Sequence, residues 1–278
     1  MIIDAHCHAG KGDGLTGPWD TDASLDRYLP RAERARIVQT VLLPVFHSDY
    51  RVANQRLARI VASAPRRFIG FAMVHPVRDA GRVDSLVAEA VLQHGFRGIK
   101  VHRYDARISR EICDVARRFR LPILYDVMGE TSPVELLARE YPDVVFVIPH
   151  LGSFSDDWRA HVAIIDQLER HPNVFTDTAG VRRFDYLVEA LRRAGPHKVL
   201  FGSDGPWLHP GLELAKVKLL GLPPAEESLV LGGNLRRLLA TPPGVVRRRE
   251  PQSAQPFVAP VFERPLRDPW APAVQPLS

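Results

Sequence analysis

Cysteine is nearly absent from this chain: Cys7 and Cys113 are the only two in 278 residues. Two thiols make no disulfide framework, and both read as reduced side chains of a cytoplasmic protein. Long apolar runs are missing as well. None approaches the roughly 18 residues that a membrane span requires, so no membrane association is expected. The first residues lack a basic region followed by an apolar stretch and a small-residue cleavage site, so no secretory leader is expected. Charge of one sign is not concentrated: the net charge is +5, and the densest basic run is Arg247-Arg248-Arg249. No nucleic-acid-binding motif accompanies it, so nucleic acid is not an expected partner.

What is present is a recurrent pattern. Short β-rich apolar runs span residues 2–8, 40–45, 68–74, 97–102, 121–126, 144–150, 173–178 and 198–204. Helical stripes lie between them. Val83, Leu86, Val87, Ala90 and Val91 form one, Ile108, Ile112, Val115, Ala116 and Phe119 a second, and Phe184, Leu187, Val188 and Leu191 a third. Eight strand–helix units predict an α/β fold, a parallel (β/α)8 TIM barrel over residues 1–240, with a doubly wound sheet as the alternative. In such a barrel the active site lies at the C-terminal ends of the strands.

Ionisable residues collect at those ends. The first run carries Asp4, His6 and His8, and period-two alternation puts His6 and His8 on one face with Cys7 on the other. Two imidazoles side by side suit one divalent metal. Lys100 and His102 share a face of the fourth run, Asp126 ends the fifth, His150 the sixth, and Asp204 the eighth. Singly, such residues are ordinary loop histidines or helix-capping carboxylates. Together they predict a metal or acid–base site. Trp19, His47, Arg103, Tyr104 and Trp207 follow strands, where loops shape a pocket.

Six segments resemble the amidohydrolase superfamily, in particular the amidohydrolase-related branch of metal-dependent hydrolases and decarboxylases. They are Ile3-Asp4-Ala5-His6-Cys7-His8, Gly98-Ile99-Lys100-Val101-His102, Leu121-Pro122-Ile123-Leu124, Pro149-His150-Leu151-Gly152, Phe201-Gly202-Ser203-Asp204-Gly205-Pro206 and residues 233–239. The resemblance covers about residues 1 to 240. It implies that His6, His8 and Asp204 bind a divalent metal, with zinc the first expectation and manganese the second. It also implies that His150 is catalytic beside Asp204. The family's histidine on the fifth strand is replaced here by Asp126, which is expected to take its place on the metal. A carboxylate there shifts preference toward harder ions. Lys100 matches a lysine that is carbamylated in two-metal relatives, and is read here as a plain lysine that pairs with substrate or with Asp126. His102, Arg103 and Trp207 are the other expected substrate contacts.

The leading functional expectation is hydrolysis of an ester, lactone or amide-type bond in a small anionic substrate. Non-oxidative decarboxylation of an aromatic or unsaturated acid is the alternative. A third reading, an inactive binding or assembly subunit, draws on the last segment. Residues 241–278 hold nine of the 24 prolines, interspersed with Phe257, Phe262 and Trp270. They read either as a disordered tail or as an extended strap that docks on its own barrel or mediates homo-oligomer contacts.

Overall fold

The computed structural model describes residues 1–16, 21–241 and 243. Trp19 and nearly all of the proline-rich segment, with Phe257, Phe262 and Trp270, lie outside the described residues.

All eight expected strands are present: β1 (Ile2–Lys11), β3 (Ile37–Pro44), β4 (Phe68–Met73), β5 (Gly98–His102), β6 (Ile123–Asp126), β7 (Phe146–Ile148), β8 (Val174–Asp177) and β9 (Val199–Leu200). They pair in parallel, in chain order, as neighbours of one sheet. A ninth strand, β2 (Asp22–Ala23), adds antiparallel to the end of β1, an extension for which the sequence pattern offered no apolar run. Residues just past β9 bond back to β1: Ala5 N donates to Phe201 O at 2.9 Å, His8 N to Gly205 O at 2.6 Å, and Asp204 N to His6 O at 2.7 Å.

The connections are helices whose starts are set by local chemistry. Ser24 caps α1 (Leu25–Arg34), Asp49 caps α2 (Tyr50–Ser63) and Ser109 caps α4 (Arg110–Phe119), each accepting a hydrogen bond from a backbone N–H of the first turn. The stripe of α3 (Val83–Leu92) is buried as the spacing predicts. That of α7 (Phe184–Ala194) is rotated: Leu187, Ala190, Leu191 and Ala194 are buried, while Phe184 and Val188 are exposed.

Two apolar layers lie between strands and helices, and a third lines the other side of the sheet. Ile3 and Ala5 of β1, Leu43 of β3, Leu124 of β6 and Leu200 of β9 belong to that third layer. Cys7 and Ala9 belong instead to a helix-side layer with Tyr28. Strict alternation would put Ile3, Ala5, Cys7 and Ala9 on one face. The pairing of β1 with β3 is irregular between Asp4 and Cys7, and this offset switches the face. It turns His6 and His8 to the side of Ile3 and Ala5, and leaves Asp4 with Tyr28 on the helix side. Asp4 therefore does not share the histidines' face.

Candidate metal and acid–base site

His6, His8 and Asp204 converge. Their ligand atoms lie within 4.8 Å of one another, and Asp204 Oδ1 is 3.6 Å from both His6 Nε2 and His8 Nε2. Each imidazole is held by its other nitrogen. His6 Nδ1 bonds Asp177 Oδ2 at 2.9 Å, and His8 Nδ1 bonds the Pro44 carbonyl at 3.0 Å. These acceptors require the proton on Nδ1, which leaves both Nε2 lone pairs for another partner. His6 Nε2 is buried and has no hydrogen-bond partner among the described residues. Burial depresses the imidazolium form of His6, and Asp177 only partly offsets that. Burial, the neighbouring His6 and Lys100 hold His8 well below the usual imidazole range. Two neutral imidazoles with aligned free nitrogens beside a carboxylate form a donor set that fits a divalent ion.

Asp204 is pinned by its backbone bond to His6 O and sits at φ +51°. His150 follows β7 in a short 3-10 turn, with φ +58° at His150 and +49° at Leu151. Consecutive non-glycine residues in this region cost energy that the surroundings must offset. Here the His150 N–H donates to Asp177 Oδ1 at 3.0 Å, and His150 Nδ1 bonds Ala179 O at 2.7 Å. Asp177 thus ties His6 and His150 together. A second group of candidate ligand atoms comprises His6, His150 and Asp177.

Asp126 does not belong to either group. Its carboxylate lies 3.2 Å from His102 Nε2 and 3.5 Å from His150 Nε2. Burial raises its carboxyl, but His102 and His150 outweigh that and hold it well below the ordinary range. Burial alone would depress the His150 imidazolium. The adjacent Asp126 prevails and pushes it up to about 9. Lys100 is fully buried; burial lowers its ammonium pKa against the opposing pull of Asp126, Asp204 and Asp177.

The flanks are aromatic. The Trp207 ring lies 4.6 Å from that of His8, Phe154 meets His150 edge-on at 5.1 Å, and Phe46 meets His102 at 4.9 Å. Arg103 pairs with Glu130, which also holds Arg107, so its guanidinium is engaged within the chain. His47 is tied to Asp13 and the Asp49 N–H, and Tyr104 packs on Phe46.

Sequence reading missed Asp177, the carboxylate that orients both His6 and His150. Its signal was available, since it is the last residue of β8. Gly202 was also passed over as a site residue. A Cβ there would sit 3.0 Å from His6 Cβ and 3.2 Å from Asp177 Cγ. Gly202→Val is expected to lower stability by about 1–3 kcal/mol through overpacking and to loosen the His6–Asp177 pair. Thermal unfolding reads the first effect, and divalent-ion titration of the folded protein reads the second.

A family model described as amidohydrolase matches residues 3–241. No curated protein matches the chain. Solved structures share the fold. An amidohydrolase from Burkholderia multivorans with bound zinc is 17% identical, with a TM-score of 0.71 over 87% of this chain and 100% of that one. A dihydroxybenzoic acid decarboxylase from Polaromonas sp. JS666, with bound manganese and the inhibitor 2-nitroresorcinol, is 17% identical. Its TM-score is 0.65 over 86% of this chain and 96% of that one. A probable 2-pyrone-4,6-dicarboxylic acid hydrolase from Acinetobacter baumannii with citric acid bound is 15% identical, with a TM-score of 0.68 over 86% and 99%.

Proposed function

Because the chain belongs to the amidohydrolase family, we propose that it is a metal-dependent hydrolase acting on an ester, lactone or amide-type bond of a small anionic substrate. The observation that carries this reading is the convergence of two neutral imidazole nitrogens and one carboxylate, with both imidazoles oriented from behind. We read the sheet as a closed (β/α)8 barrel, on the strength of the backbone bonds between β1 and residues 201–205.

In this reading His6, His8 and Asp204 hold one divalent ion. When bound, such an ion polarises a carbonyl and lowers the pKa of water toward neutrality. Asp204 takes the proton of the attacking water on its carboxylate and returns it to the leaving group. His150, kept protonated by Asp126, stabilises the oxygen on which charge develops through its positive charge, its two N–H groups facing Asp126 at 3.5 Å and the Ala179 carbonyl at 2.7 Å. Asp126 occupies the position of the family's histidine and acts through His102 and His150. Zinc and manganese both suit the donor set, because carboxylate and imidazole bind either. Lys100, His102 and Trp207 are assigned to substrate, Lys100 from a fully buried position.

A second reading is non-oxidative decarboxylation. A protonated His150 is a proton donor beside the cluster, and the loss of carbon dioxide from an aromatic acid requires a proton delivered to ring carbon. Structural likeness to a dihydroxybenzoic acid decarboxylase supports keeping it. Elemental analysis of the purified protein, followed by assays on carboxylated lactones and hydroxybenzoates with carbon dioxide detection, separates the readings. Ring opening without carbon dioxide supports hydrolysis, and carbon dioxide release supports decarboxylation. A folded protein without stoichiometric metal removes both.

Asp126→Asn tests the role of His150. Removing the carboxylate's charge should let burial pull the His150 imidazolium down from about 9. The alkaline limb of the kcat profile should then move to lower pH, with kcat falling about 100-fold. An unmoved limb would detach Asp126 from the chemistry.

A further inference from the structure

A cavity of about 560 Å³ lies beside the candidate centre, lined by Asp22, Ser24, Arg27, Arg31, Pro206 and Trp207. Its size is that of a small-molecule site. Arg27 and Arg31 are one turn apart on α1, so they project on the same side of that helix. Neither guanidinium has an ion-pair partner among the described residues, whereas Arg51, Arg67, Arg103, Arg110 and Arg118 all do. Among the described lining residues, two cations stand against one carboxylate, Asp22. Trp207 forms the shared wall: it lines the cavity and its ring lies 4.6 Å from the His8 ring. Its Nε1 is buried with no hydrogen-bond partner among the described residues, and the indole brings a flat apolar surface to that wall.

We propose that this cavity is the anion-recognition arm of the site, in which Arg27 and Arg31 hold a carboxylate remote from the reacting bond while a planar ring lies against Trp207. The substrate is thereby narrowed from a small anion to a planar acid with a carboxylate distant from the atom that reacts. Guanidinium forks suit this task because each can bind a carboxylate through two parallel N–H donors. The inference rests on the reading of His6, His8 and Asp204 as the reacting centre, and it adds two specificity-determining residues on an element that supplies no residue to that centre.

The test uses zinc-loaded full-length protein and calorimetric titration with benzoate, isophthalate and terephthalate. One of the two dicarboxylates should bind at least tenfold more tightly than benzoate. Arg27→Gln with Arg31→Gln should erase that preference while leaving zinc content unchanged. Equal affinity of the wild type for all three acids, or a preference that survives the double substitution, would overturn the proposal. A second arm does not depend on metal. Phenylglyoxal labelling mapped by mass spectrometry, run on wild type and on His6→Ala/His8→Ala protein, should show that the preferred dicarboxylate shields Arg27 and Arg31. Wild-type protein that takes up no zinc but whose arginines are shielded would sink the metal reading and keep the anion arm; unshielded arginines in zinc-loaded wild type would do the reverse.

Discussion

Replacing His6 and His8 together by alanine is expected to eliminate stoichiometric metal and to lower turnover by at least about 1000-fold, with the fold retained. The expectation follows from how the two rings are held. Both donor nitrogens face Asp204 Oδ1 at 3.6 Å, and both rings are locked by their opposite nitrogens. Truncation removes two of three donors and leaves one carboxylate, which is too few for a tetrahedral site. The fold should survive because β1 is held chiefly by backbone bonds to β3 and to residues 201–205. Metal analysis, turnover and far-ultraviolet circular dichroism read the three outcomes. A graded counterpart is Asp177→Asn, which keeps both donor nitrogens but weakens the anchor of His6. It should cost about 10- to 100-fold in metal affinity, read by competition with a chelator. Metal binding unchanged in the histidine double variant would mean that the ion, if any, sits elsewhere.

Asp4→Ala is expected to destabilise the fold by about 3 to 5 kcal/mol, a fall in Tm of about 10 °C for a chain of this size. Asp4 is fully buried and joins three segments. Its Oδ1 accepts from His6 N at 3.1 Å and Ser203 N at 2.9 Å, and its Oδ2 accepts from Tyr28 OH at 2.8 Å and from the Ser203 hydroxyl. Alanine would strand these donors between β1, α1 and the loop that carries Asp204. Burial raises the Asp4 carboxyl to about 7, and the four donors only partly offset it. The sign of the linkage follows. Between the ordinary value of 3.8 and about 7 the folded protein holds a proton that the unfolded chain has released. Stability attributable to this group is therefore complete below pH 3.8 and is lost as pH rises toward 7, by up to about 4 kcal/mol. Asp4→Asn should flatten that part of the profile. Urea midpoints of chelated wild type and variant from pH 4 to 8 check it, and parallel profiles would show that Asp4 is ionised throughout.

Much of the architecture was legible in linear order. Strand–helix alternation is written in apolar periodicity, and each run from Ile2 to Leu200 became a strand because β-branched and aromatic residues fit a sheet buried on both faces. The short β2 escaped, since two residues with one apolar side chain carry no period. On α7 the pattern placed Phe184 and Val188 inward. The observed face instead uses Ala190 and Ala194, whose small side chains allow close packing without a strong apolar signal.

For the site, the sequence by itself determined the inventory: His6 and His8 lie within β1, His150 and Asp204 just past β7 and β9, and their chemistry is independent of packing. The tertiary structure decided which of them share a space. The irregular pairing of β1 with β3 switches the face of the strand between Ala5 and His6, so Asp4 goes to Tyr28 while His6 and His8 go to Asp204. Period-two alternation cannot express that switch, because it depends on how a neighbouring strand is paired. Asp126 against His102 and His150, Asp177 beneath His6, and Arg103 closed onto Glu130 are likewise contacts between elements. They join side chains between 24 and 171 residues apart, and only the packing of strands in one sheet and of the loops above them sets those distances.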